Sequence, residues 1–176
     1  MKQAGVLLVI GALVATPAAG AAEAGPSELP SAFFISKSDN HNQVHYAVAV
    51  DANCLPAGVA PVRPYWRMLE QGPGLTAPLL EREQQVYGIA TQTVTRSAAS
   101  GSITLALRAL PQRPLTIVTR KDSTGTCRAA VYTVIQSQRA RLYAIHVVLG
   151  WIGVDSLIIK GWARSDGHVL RETIEP

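Results

Sequence analysis

Two histidines four positions apart, His41 and His45 in SDNHNQVHYAVAVD, have the spacing that puts two imidazoles on one helical face and lets them share a metal ion. On a strand the same spacing separates them by about 13 Å, at roughly 3.3 Å per residue, too far for one ion. SDNHN is rich in turn-forming residues, and the residues after it alternate, Val44, Tyr46, Val48 and Val50 against Gln43, His45, Ala47 and Ala49. The pattern predicts a hairpin tip at His41 and a strand from which His45 points outward. A chelate would need a bend bringing both to Asp39, so no metal is expected.

A second group with chemical potential is Arg63-Pro64-Tyr65-Trp66-Arg67. If extended, it sets Arg63, Tyr65 and Arg67 on one face and Trp66 and Met68 on the other. The first face could form a cationic, hydrogen-bonding wall for an anionic or sugar-like ligand. In the plainer reading Trp66 anchors the core and the arginines pair with Glu70 or Glu81. Tyr87 could join either arrangement.

Other chemistries find little support. The chain has no G-x-S-x-G elbow, Walker loop, HExxH or CxxC motif. His146, in the apolar run LYAIHVVLG, is expected to be a hydrogen-bonded strand residue, and His168 to open a strand after Asp166-Gly167. Glu81 and Glu83, two apart on a predicted helix, point in different directions and read as a solvated face. Trp151, between two glycines in LGWIGVD, could cover a pocket, mediate a contact or plug one end of a barrel.

The elements that must position these residues are mostly strands. Period-two alternation marks seven: residues 43–50, 102–110, 115–121, 127–136, 140–149, 154–163 and 168–174. PVRPYWRML (61–69) and TQTVTR (91–96) are weaker candidates. The connectors DSTG (122–125), SQRA (137–140) and SDG (165–167) are short, which favours antiparallel neighbours. An all-β fold is therefore expected: an antiparallel meander of about eight to ten strands closing into a small barrel or pairing as a sandwich. One short helix is predicted near 78–87, with a cap at Thr76 before Pro78, Leu79, Leu80, Val86 and Tyr87 at helical spacing, and Gly88 as terminator.

The N-terminus has one basic residue, Lys2, an uncharged run from Gly5 to Ala15, then small residues introduced by Pro17, the order of a secretory signal peptide. Ala19-Gly20-Ala21 fits the cleavage rule and places the cut after Ala21; Ala22-Glu23-Ala24 offers a second site. The apolar run is shorter than the roughly 20 residues a membrane span needs, so residues 1–21 are read as a cleaved signal. Residues 22–30 are read as a disordered leader and 31–176 as a single β domain without a membrane segment. A periplasmic or secreted protein is expected.

Cleavage leaves 15 of the 16 basic residues against 12 acidic ones, a net charge of +3 scattered along the chain. The closest clusters are Arg120-Lys121 and Arg139/Arg141, so nucleic acid is not expected as a partner. Cys54 and Cys127 suit a disulfide in an oxidising compartment. It would close a loop of about 70 residues, worth roughly 4 kcal/mol in the chain-entropy model.

Three landmarks in order, NQVHYAVAVD, PVRPYWRMLEQG and PLLEREQQVYGI, resemble a bacterial family catalogued as domain of unknown function 4833. Its Tyr-Trp strand falls on Tyr65-Trp66, and its Tyr-Gly-Ile helix end on Tyr87-Gly88-Ile89. The resemblance implies an exported bacterial β protein and carries no reaction to transfer. The expectation is a non-enzymatic domain, without cofactor, that binds a small ligand or an envelope partner through His45, Tyr65, Arg67 and Tyr87. The alternatives are a periplasmic enzyme acting on an envelope-derived substrate, and an assembly protein that pairs through an edge strand.

Overall fold

The computed structural model describes residues 29–97, 100–151 and 153–175. The predicted signal peptide and most of the predicted leader lie outside the described residues. Eleven strands form one sheet: β1 (Ser31–Lys37), β2 (Gln43–Val48), β3 (Val62–Arg67), β4 (Thr76–Pro78), β5 (Ile89–Arg96), β6 (Gly101–Leu107), β7 (Leu110–Lys121), β8 (Cys127–Ile135), β9 (Gln138–Leu149), β10 (Val154–Ala163) and β11 (Val169–Ile174). The alternating segments and both weaker candidates are strands, and the fold is all-β as expected.

The helix is one residue group later and shorter than predicted. Thr76–Pro78 pairs with β3 as a strand, and α1 spans Glu81–Tyr87. The first turn is closed by Glu83, whose Oε2 accepts from the Leu80 backbone N–H at 2.8 Å and from Trp66 Nε1 at 2.9 Å. Glu83 thus caps the helix and satisfies the core tryptophan, which the reading of a solvated face had missed.

The sheet path runs β4-β3-β2-β1-β9-β8-β7-β6-β5, with β10 paired to β9 and β11 to β10. Neighbours are antiparallel except β1 and β9, which run parallel, Phe34 opposite Ala144 and Ser36 opposite His146. Short turns do not announce that pair, because more than half of the chain lies between its strands.

β9 has three partners and only two edges. β10 runs along 140–149, while β8 takes residues 138–142 and β1 takes 144–147, so β8 and β1 share the other edge end to end. Two wings, β1–β4 and β5–β8, therefore leave β9 from the same side. The sheet does not close, and the wings face each other as in a sandwich. The core is between them: Phe33 stacks on Tyr46 with ring centroids 4.3 Å apart, and the Tyr46 hydroxyl donates to the Tyr87 carbonyl at 2.6 Å.

The handover on β9 has a local cause. The β9–β10 register shifts between Lys160 and Gly161, which leaves Tyr143 as an extra residue in β9. Before the bulge Ala140 and Leu142 face the core; after it Ile145 and Val147 do. Gly161 sits opposite, where an added Cβ would lie 2.8 Å from the Arg141 carbonyl oxygen and 2.8 Å from Ile135 Cδ1.

The segment after β2 crosses to the second wing. Cys54 forms a disulfide with Cys127 at the start of β8, and Thr119 Oγ1 donates to the Cys54 carbonyl at 2.5 Å. Arg96 donates to the carbonyls of Pro56 and Gly58 at 2.9 and 2.6 Å.

Replacing Gly161 with alanine forces either the bulge or Ile135 to move. A destabilisation of about 1–3 kcal/mol is expected for such overpacking, measurable as a lower urea midpoint with an unchanged slope.

Candidate functional site

Strand pairing assembles the outer face of the first wing row by row. Tyr65 of β3 lies opposite His45 of β2, and His45 opposite Phe34 of β1. Arg67 lies opposite Gln43, and Gln43 opposite Ser36. The His45 ring is 5.5 Å from Phe34 and 5.8 Å from Tyr65, centroid to centroid. His45 is nevertheless buried, 6% exposed, because its neighbours lie over it.

Both ring nitrogens of His45 have partners. Nε2 donates to Gln43 Oε1 at 2.9 Å, and Nδ1, 3.0 Å away, accepts from the Ser31 hydroxyl. That set fits a neutral imidazole. Burial, and then the Arg67 charge, push its pKa from 6.5 down to about 4. Burial also raises the Tyr65 hydroxyl, so neither group is charged at neutral pH.

Tyr87 is on the other side of β3. It meets Trp66 edge-on at 5.6 Å and lines a cavity of about 150 Å³ walled by Ile35, Leu107, Leu110, Ile145 and Leu157. The structure brings His45, Tyr65 and Arg67 together and separates Tyr87 from them. His41 is at the hairpin tip, its backbone N–H donating to Glu70 Oε1 at 3.1 Å, away from His45. His146 bonds Ser36 Oγ at 2.9 Å. Trp151 is fully exposed, so it plugs nothing. Among the described residues, no three His, Cys, Asp or Glu side chains are grouped to hold a metal ion.

A larger concavity opens where β8 and β1 part on the edge of β9. This groove, about 1140 Å³, is bounded by Leu29, Pro30 and Ser31 on one side and by β7 and β8 on the other. Its lining carries Arg120, Lys121, Arg128 and Arg141 against one carboxylate, Asp122. Asp122 is committed to the β7–β8 turn: Oδ1 accepts from Thr124 and Thr126, and Oδ2 from Arg128 Nε at 2.8 Å. Those bonds, the Thr124 hydroxyl first and then Arg128, hold the carboxyl well below the usual carboxylate range. Among the described residues Arg120, Lys121 and Arg141 have no carboxylate within salt-bridge distance.

Arg120 is directly opposite Arg128, and two strands further on Lys160 is opposite Arg171. Like charges placed directly opposite each other are destabilising. Aromatic rings are interleaved with them. Arg141 sits 5.8 Å from the Trp162 ring, Tyr143 is 4.4 Å from Trp162, and Arg164 is 5.4 Å from Tyr132. Five charges that are scattered along the chain, Arg120, Arg128, Arg141, Lys160 and Arg171, are thereby brought onto one face of the sheet.

This chain matches the family described as Domain of unknown function (DUF4833) over residues 33–173, from the core phenylalanine Phe33 of β1 to Thr173 in β11. The chain belongs to the DUF4833 family. No curated protein and no solved structure matches it. The DUF4833 match takes in every residue of the groove except Leu29, Pro30 and Ser31.

Of the DUF4833 groove residues, sequence reasoning picked out Arg120, Lys121 and Arg141 as members of small basic clusters and Cys127 as a disulfide partner, without placing them together. The DSTG turn was a usable signal: with Lys121 opposite Cys127, a tight hairpin sets Arg120 against Arg128. No comparable signal could place Ser31 or Arg141 beside them, because the β1–β9 pairing is not local.

His45 yields a pH prediction. Its imidazole is held neutral in the folded state and takes up a proton near pH 6.5 when unfolded, so its contribution is intact above pH 6.5 and lost as pH falls towards 4. His45→Gln should flatten the decline in melting temperature between those values. An equally steep decline in the variant would assign it to other groups.

Proposed function

We propose that this DUF4833 chain is an exported, non-enzymatic binding protein that takes a polyanionic partner from the cell envelope on the outer face of β7–β11. The observation carrying this reading is the placement of like charges: Arg120 opposite Arg128 and Lys160 opposite Arg171, with Arg141 beside the groove and, among the described residues, only Arg128 of the groove cations paired to a carboxylate. Folding alone gives no reason to set like charges across a strand pair. A bound anion does, because it converts their repulsion into joint attraction. The N-terminal signal pattern and the Cys54–Cys127 disulfide support export. On the first wing only Arg67 is part exposed on the outer face; His45 and Tyr65 are buried beside it, and Tyr87 has no part in it.

Dextran sulfate should bind, neutral dextran should not, and the affinity should fall as salt rises. The double variant Arg120→Gln/Arg141→Gln should weaken binding by about tenfold or more, as expected for losing two charge-assisted contacts. Equal binding of neutral dextran, or an unchanged affinity in the double variant, would overturn the proposal.

An enzymatic reading has one observation in its favour. Ser31 is exposed in the groove, its hydroxyl meets His45 Nδ1, and Gln43 orients the far side of the ring. This is the geometry of a nucleophile, base and orienting group. Gln43, being neutral, gives the imidazolium little support, and a histidine with a pKa near 4 is a weak base. A fluorophosphonate probe should therefore leave Ser31 unlabelled. Labelling that disappears in Ser31→Ala would establish the enzyme.

A further inference from the structure

The groove has a property that charge alone does not require: one wall is the edge of a strand. Cys127, Arg128, Ala129 and Ala130 all line it, though successive side chains of a strand point to opposite faces. Four consecutive residues can line one space only if the strand's edge, with its N–H and C=O groups, faces that space. The pairing agrees. β8 is joined to β9 only from Val131 to Ile135, and among the described residues Cys127–Ala130 is paired with β7 alone, while β1 passes near β8 without pairing with it. Ala129 and Ala130 are too small to cover the edge. By contrast β4, which ends the first wing, is three residues long and carries Pro78, two devices that discourage strand pairing.

We infer that the polyanionic partner is an acidic polypeptide segment that binds in extended form, adding as a strand to the free edge of β8 at Cys127–Ala130. This inference deepens the proposed binding function and rests on it. Main-chain hydrogen bonds to the edge would supply sequence-tolerant affinity, and carboxylates on alternate residues would meet Arg120, Arg128 and Arg141. The free edge is about 13 Å long at roughly 3.3 Å per residue, room for four partner residues. A sulfated glycan or an anionic lipid headgroup would use the cations and leave the backbone edge unpaired.

The test titrates the protein with an octapeptide of alternating Glu and Thr, with the same peptide N-methylated at alternate amides, and with dextran sulfate, following backbone amides by NMR. The expected result is saturable binding of the unmodified peptide, slowed amide exchange within residues 127–130, and an affinity lower by about tenfold or more for the N-methylated peptide, which loses several main-chain bonds. Because the change is made in the probe, folding of the protein is untouched. Equal binding of both peptides, or binding of dextran sulfate without the peptide, overturns strand addition and leaves the polyanion reading standing. If neither peptide nor dextran sulfate binds, both fall.

Discussion

Two strands share one edge of β9, and the rest of the molecule follows from that arrangement. A strand edge offers one row of hydrogen-bonding groups, and here β8 uses the first part and β1 the second. The handover works because Tyr143 bulges out between them and shifts the phase of β9, so that Leu142 and Ile145 both face the core although three positions apart. Without that shift one half of β9 would turn its apolar residues outward. Gly161 makes room for the bulge from the neighbouring strand, and the absence of its Cβ is a packing requirement of the junction.

The same junction creates the groove. Strands that leave a common edge in two directions must open a notch, and the notch exposes the backbone that each no longer pairs. The Cys54–Cys127 bond is set at its margin and ties the segment after β2 to the start of β8. A covalent tie across 73 residues of chain restricts the unfolded ensemble, worth about 4 kcal/mol in the entropy model. It also ties the first wing to the second near the place where they diverge. The electrostatics of the region have the opposite character to those of the core: the core satisfies its polar groups internally, as Tyr46 does, while the groove pairs Arg128 with Asp122 and leaves Arg120, Lys121 and Arg141 without a carboxylate partner among the described residues.

Much of the fold was legible in the chain. Alternation located the strands because a half-buried strand must alternate, and the connectors DSTG, SQRA and SDG set the hairpins of the second half. The helix was placed too early because Pro78 reads equally well as a helix opener and as a residue of a short edge strand; pairing with Tyr65 decided between them. The site was legible only in part. Tyr65 and Arg67 share a face because they are two apart on one strand, whereas Tyr87 was joined to them by proximity in sequence and lies on the core side with Trp66. Glu83 was read as solvated because nothing local signals that Trp66 Nε1 needs an acceptor there.

By itself, then, the sequence determined the strand content, the faces of individual strands, the cysteine pairing partners available and the pattern of an export signal. These are local or compositional properties, set by periodicity two and by turn chemistry. Only the tertiary structure decided which arginines stand together, that β1 runs parallel to β9, and that β8 keeps a free edge. Those depend on pairings between strands as much as a hundred residues apart, and the energy of such a pairing comes from both strands and from the core beneath them, so no segment encodes it alone.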